Sequence, residues 1–286
     1  MKITSKRLMT VSSRCFKPLL LLLLAVLPLR VSAQRIVWSL PQYNETVRVG
    51  AVAVGNAFAR DTYLAASRYG GWTVGFEIDS WTGLKPDRLF KYGRVHSSLI
   101  FSPMKNRNNG GSTLELMGSN HWAYLWPAVE CDKCDLLIGP AALLEMGVLY
   151  NRQNSNNPAS MEGYFGAGFC VDNTFRFSLF KYGMALQATL YVPLAGVGFA
   201  PDYDIPYWLM YRYGSYGKLL HLFTPFNNTA VTQQVALVLP LRGDRLRIGY
   251  TFDYTGNSLG GHSRNIGSNL FTIGYILRYQ AKEWDR

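Results

Sequence analysis

Apolar and polar residues alternate with a period of two along much of the chain, most clearly near its C-terminal end. In the run 245–254, Leu246, Ile248, Tyr250, Phe252 and Tyr254 fall on one side, and Arg245, Arg247, Gly249, Thr251 and Asp253 on the other. A period of two is that of a strand with one oily and one wet face. The run 271–280 repeats it: Phe271, Ile273, Tyr275, Leu277 and Tyr279 alternate with Thr272, Gly274, Ile276, Arg278 and Gln280. Each run has about the ~9–11 residues a tilted strand needs to cross a bilayer. The pair predicts a membrane hairpin with Tyr250, Phe252, Ile273 and Tyr275 toward lipid and Arg247, Gly249, Thr272 and Gly274 toward a lumen.

The same pattern, less regular, predicts strands over 47–58, 72–79, 92–101, 113–126, 135–150, 161–180, 184–193 and 229–241. Between them, 61–70, 81–90, 103–112, 127–134, 151–160 and 256–268 read as turns or loops, and 181–183 and 242–244 as tight turns. Short and long connections alternate in the second half, as in outer-membrane barrels with short periplasmic turns and longer outer loops. The expected fold is therefore all-β: a transmembrane antiparallel barrel of about ten strands (range ~8–12) with both termini in the periplasm. The segment 194–228 fits least well. Its Pro201, Pro206 and Pro225, and its cluster of Tyr203, Tyr207, Trp208, Tyr211, Tyr213 and Tyr216, leave open one large outer loop or a loop plus an extra hairpin.

The N-terminus changes the picture. Lys2, Lys6, Arg7, Arg14 and Lys17 precede an apolar run at 18–29, and Val31-Ser32-Ala33 is a small-residue cleavage site. This predicts a signal peptide over 1–33 and a single barrel domain over 34–286 beginning with a polar periplasmic lead-in, since the apolar run is shorter than the ~20 residues of a spanning helix. Six of the 29 Lys and Arg lie in 1–33, leaving 23 basic residues against 18 acidic ones. That surplus is too mild to imply a nucleic-acid partner. Cys131-Asp132-Lys133-Cys134 has no second pair and no His-x-x-His to complete a zinc site, so the spacing predicts a small disulfide across a turn and no metal.

Residues 61–64 (Asp-Thr-Tyr-Leu) ahead of a Tyr-Gly turn, then 147–152 (Gly-Val-Leu-Tyr-Asn-Arg) leading into 154–159 (Asn-Ser-Asn-Asn-Pro-Ala), resemble an uncharacterised family of Bacteroidota outer-membrane proteins that carries a domain of unknown function. The resemblance spans most of the chain after residue 33. It implies a cell-envelope barrel and assigns no activity.

Three groups of residues could carry chemistry. The inward parity collects Glu77, Asp79, Arg94, His96, Glu115, Arg245, Arg247, Asp253 and Arg278. These would form either an ion path or a self-satisfied plug, and charged lumens of narrow barrels favour the plug. The second group is His262 and Ser263 in the last loop, with His121 expected nearby. A Ser activated by a His would make a barrel lipid hydrolase of the lipid A deacylase or phospholipase type. Adjacent strand residues point to opposite faces, so this pair would need loop geometry. The third is the aromatic segment 199–216, which suits an interfacial girdle or a surface for glycan or peptide. No P-loop, G-x-G-x-x-G, H-E-x-x-H or EF-hand loop occurs, and no cofactor is expected. The reading is of an outer-membrane protein in contact with membrane lipid, with a structural or interaction role or a narrow pore and without enzymatic activity. An envelope protein or glycan would meet it through 194–228. A lipid hydrolase and a soluble periplasmic β-sandwich are the competing classes.

Overall fold

The computed structural model describes residues 38–154, 158–180, 182–201, 206–214, 216–241 and 244–280. The expected signal peptide lies outside them. Among the described residues eleven strands form: β1 (Glu45–Asp61), β2 (Ala65–Gly83), β3 (Tyr92–Lys105), β4 (Ser112–Glu130), β5 (Cys134–Asn151), β6 (Ala159–Leu179), β7 (Tyr182–Phe199), β8 (Leu220–Phe223), β9 (Asn228–Leu241), β10 (Asp244–Asn257) and β11 (Arg264–Gln280). β1 to β7 pair each with the next, β7 pairs with β9, and β9, β10 and β11 lead back to β1. All these pairings are antiparallel, so ten strands close a barrel with no free edge. β8 is outside the ring and pairs only with the end of β7, at Gly196–Phe199. The segment 194–228 is thus one large connection, carrying a helix α1 (Tyr207–Tyr213), a 3-10 turn (Tyr216–Leu219) and β8. Among its described residues there is no second hairpin of membrane length.

Alternation sorts the residues as the sequence predicts. Outward, Phe76 is 65% exposed, Ile273 50% and Tyr275 42%; inward, Arg247 is 3% exposed and Thr272 1%. β1 carries no outward charge between Arg48 and Arg60. At ~3.3 Å per residue and a tilt of ~40°, that stretch rises roughly 30 Å. A bilayer's hydrocarbon core has about that thickness. The outward apolar belt of Val52, Val54, Trp72, Val74, Phe76, Ile78, Leu99 and Phe101 is therefore the membrane-facing surface of a transmembrane barrel.

The expected connections are all too long at one end or both. The loop at 61–70 is a turn at 62–64, because β2 starts at Ala65. The turn at 81–90 begins only after Gly83, and 127–134 shrinks to 131–133. The loops at 103–112, 151–160 and 256–268 contract to 106–111, 152–158 and 258–263. The cause is strand length. The ten barrel strands run 14 to 21 residues, well beyond the ~10 that lipid requires, and past the membrane their outward residues turn polar. Gly260 and Gly261 close the β10–β11 turn in the left-handed region, at φ 62° and 75°. The lead-in before β1 also departs from expectation. Trp38 is 1% exposed and stands edge-on to Trp81, ring centroids 5.0 Å apart, inside the mouth of the barrel where the chain enters it.

Candidate functional site

The barrel axis is filled by a charged network in the half of the barrel that holds the start of β1. Asp79 on β2 stands in register with His96 on β3, and His96 Nδ1 lies 3.2 Å from Asp79 Oδ1. Arg94, one inward position from His96, donates from Nη2 to Asp79 Oδ1 (3.2 Å) and Gln234 Oε1 (2.9 Å). Its Nη1 reaches across the lumen to Asp172 Oδ2 and Thr189 Oγ1. Trp81 Nε1 donates to the same Asp172 oxygen (2.9 Å), and the Arg94 guanidinium lies 4.5 Å from the Trp81 ring centroid. Arg247 donates from Nη1 to Asp79 Oδ2 (2.8 Å) and from Nε to Gln187 Oε1 (3.1 Å). Glu77 accepts from Thr251 Oγ1 at 3.1 Å. Side chains from β2, β3, β6, β7, β9 and β10 thus meet on the axis. Burial of a charge is costly unless it is paired and hydrogen-bonded. Here the pairing is dense, and Asp79, Arg94, Asp172 and Arg247 are each 1 to 3% exposed.

Layers above and below complete the plug. At the mouth near the termini, Arg278 binds both Glu45 oxygens at 3.0 Å and the Ser39 carbonyl at 2.6 Å; Arg245 points inward at the same end. Toward the other end, Glu115, Glu145, Glu162 and Asp253 line a cavity of about 40 Å³, the size of a water site. Beyond it Arg264 binds Asp61 (2.8 Å) and Glu162 (3.1 Å) and reaches Ser160, tying β11 to β1 and β6.

The inward cluster read from the sequence therefore divides. Glu77, Asp79, Arg94, His96 and Arg247 come together; Glu115 and Asp253 line the small cavity; Arg245 and Arg278 stand at the mouth. Asp172, Thr189, Gln187 and Gln234 were missed. Asp172 continues the inward parity of β6, but it stands beside Asn173, and neither residue type favours a strand. Asp61 and Arg264 were missed because they fall in stretches read as loop.

Glu77, Asp79 and His96 bring one ligand atom each within 4.8 Å of one another. Both Asp79 oxygens are already bound to Arg94 and Arg247, so a metal ion there would face two guanidinium groups, and the donor set does not fit one.

The hydrolase arrangement is not formed. His262 Nε2 faces Asp61 at 3.9 Å, and its ring packs on Tyr63. Ser263 is held by its backbone N–H on Thr62 Oγ1 (2.8 Å), and its hydroxyl accepts from Asn265. His121 lies far down β4, paired in register with His96 and 3.3 Å from Glu145. A nucleophile with an adjacent base needs the two in hydrogen-bond reach, and no such pair exists among these residues. The expected disulfide is not formed either. Cys131 and Cys134 stand as free thiols, and the turn they flank is closed by the Cys131 N–H on the Cys134 carbonyl (2.9 Å) and the Cys134 N–H on Cys131 Sγ (3.2 Å).

Among solved structures, an outer membrane channel from Pseudomonas putida F1 aligns with 84% of this chain and 97% of its own, at 11% identity and a TM-score of 0.34. OccK11 (OpdR) from Pseudomonas aeruginosa aligns with 84% and 98%, at 11% identity and a TM-score of 0.16. The outer membrane protein opdK from the same organism aligns with 82% and 99%, at 9% identity and a TM-score of 0.14. No curated protein matches the sequence. The profile described as "Protein of unknown function (DUF3316)" matches residues 19–282, which take in every barrel strand, and the chain belongs to that family.

Proposed function

We propose that this chain is an outer-membrane barrel of a Gram-negative envelope, in a Bacteroidota cell as the resemblance implies, with both termini in the periplasm. Its lumen is sealed, and it works as a structural or interaction component of the envelope. The observation that carries the reading is the axial network, in which Asp79, Arg94, Asp172 and Arg247 bridge opposite walls with almost no solvent exposure. A diffusion pore needs continuous water along its axis, and this axis is occupied by paired side chains. The large connection after β7 supports an interaction role: Tyr211 and Tyr213 on α1 are 77% and 70% exposed, and exposed tyrosines suit stacking and hydrogen bonding to a glycan or protein of the envelope.

Membrane fractionation with heat-modifiable gel migration tests the location. Planar-bilayer recording and proteoliposome swelling in a small sugar test the seal. The expected result is an outer-membrane, heat-modifiable protein with no conductance steps and no swelling. Sugar-driven swelling by the unmodified protein would sink the sealed reading in favour of a narrow pore, and recovery wholly in the soluble fraction would sink the barrel's assignment to a membrane.

A further inference from the structure

Arg60 and Arg68 flank the same bulge, between the pairs Ala59–Tyr69 and Asp61–Ala65, and both point outward. Like charges brought together across a strand pair are unfavourable. Among the described residues no Asp or Glu lies within ion-pair distance of either. Arg60 Nε donates to the Ala66 carbonyl (3.2 Å), and the Arg68 guanidinium lies 4.8 Å from the Phe58 ring centroid. The two line one shallow groove of about 490 Å³ with Phe58, Ala66, Tyr254 and Asn265.

What lies below the groove narrows the class of ligand. On the same outward face Asn269 Nδ2 donates to Asn56 Oδ1 (3.2 Å), and the Tyr250 hydroxyl donates to Asn269 Oδ1. Asn56 is four positions from Arg60, roughly 10 Å lower at the tilt above. Trp72 stands beside Asn56 as its register partner, and below come Val54, Val52 and Ile273, all exposed. The surface therefore runs from paired cations, through amide and phenol groups, to an apolar wall. A soluble anion would use only the top of it. A phosphorylated glycolipid matches every level: phosphate on Arg60 and Arg68, the amide and ester linkages of its chains against Asn56, Asn269 and Tyr250, and the chains along the apolar wall.

From this gradient we infer that the outward face of β10, β11, β1 and β2 is a docking site for a phosphorylated glycolipid of the outer leaflet. The inference rests on the outer-membrane orientation proposed above, with 62–64 and 258–263 outside. The test uses the full barrel in phosphatidylcholine nanodiscs doped with phosphorylated lipid A, phosphate-free lipid A or phosphatidylglycerol, and native mass spectrometry of what stays bound. Unmodified protein should retain phosphorylated lipid A at least ~10-fold over either other lipid, since a charge-assisted phosphate contact is worth about a factor of ten. Arg60→Gln with Arg68→Gln should abolish that preference, and Arg48→Gln, at the opposite rim, should leave it intact. Equal retention of phosphatidylglycerol, or full retention by the double Gln variant, overturns the proposal. If the Gln variant fails to fold, Arg60→Lys with Arg68→Lys replaces it: loss of at least part of the preference supports the bidentate site, and an unchanged preference overturns it. A barrel that inserts but shows no preference overturns the docking site and leaves the membrane reading standing, whereas failure to insert removes that reading first.

Discussion

Neutralising Asp79 tests the plug where its charges are most concentrated. The carboxylate holds Arg247 at 2.8 Å, Arg94 at 3.2 Å and His96 at 3.2 Å, with Asp79 only 1% exposed. At about 3 Å and an effective dielectric of ~20, each full-charge contact is worth ~5–6 kcal/mol before the cost of drying both ions, which offsets most of it. Asp79→Asn keeps the volume but removes the charge. Arg94 retains Asp172, whereas Arg247 loses its bound carboxylate and keeps only neutral partners, the Gln187 and Asn amide oxygens and the face of Trp81. An uncompensated buried guanidinium costs about 3–5 kcal/mol, and that is the expected loss. The assay is reversible denaturant unfolding from lipid vesicles, followed by tryptophan fluorescence. Arg247→Gln alone should cost a similar amount, and the double variant clearly less than the sum of the singles, because the orphaned charge is gone. A single-variant loss below ~1 kcal/mol, or a double variant equal to the sum, would refute the claim that these ions stabilise the barrel as a pair.

Four further outcomes follow from the geometry. Phe76→Arg puts a cation on the lipid face and should cost ~2–4 kcal/mol of folding stability, far more than Phe76→Leu, read as the heat-modifiable fraction after refolding into vesicles. Thr251→Arg should also impair folding, because Thr251 is 2% exposed and bonded to Glu77, so the lumen has no room for the larger side chain; normal folding would show the lumen to be open there. Cys131 and Cys134 should react with a maleimide on the folded protein and Cys170, 0% exposed, only after unfolding; early labelling of Cys170 would contradict its inward position. In the 258–263 loop, burial, and next the Asp61 carboxylate pulling the other way, leave the His262 imidazole below its ordinary 6.5; the neutral form is favoured when folded, so its contribution is complete above pH ~6.5 and is lost as pH falls from there through the lower folded value. Protease sensitivity of this loop should therefore rise between pH 7.5 and 5, and His262→Gln should flatten the dependence.

The outward face was legible because lipid imposes one rule on every strand it touches. Trp72, Val74, Phe76 and Ile78, or Ile273, Tyr275 and Leu277, read as strand from the sequence alone, since an apolar row of period two matches the pleat of a strand and no helical repeat. The rule stops at the headgroups. Above them Arg60, Arg68 and Asn265 replace the apolar outward residues while Asp61, Tyr69 and Arg264 still point inward. With polar residues on both faces the alternation loses contrast, and strand was read as loop. The two residues best placed to show otherwise, Asp61 and Arg264, are direct register partners of opposite charge, but that pairing is visible only once β11 is known to neighbour β1.

The lumen was legible in a weaker sense. Parity says that Asp79, Arg94, His96 and Arg247 point in, and it says nothing of which meet. Neighbouring strands can be matched by extending a hairpin, which gives Asp79 beside His96 from the β2–β3 turn. Contacts across the axis depend instead on the stagger accumulated around the whole ring, since each strand is tilted and displaced relative to the next. Arg94 on β3 and Asp172 on β6 meet only because of that accumulated displacement. One extra residue in the β5–β6 connection could be absorbed by a loop, whereas one extra residue within β4 would reverse the faces of everything after it on that strand. The bulge at 127–129 on β4 and the one at 193–195 on β7, which faces Ala167 and Gly168 of β6, are such insertions. They reset the parity locally, and the Asp172–Arg94 contact exists in a frame they help to set. Fold class in such a barrel is thus a property of each strand taken alone, while the interior site is a property of the closed ring.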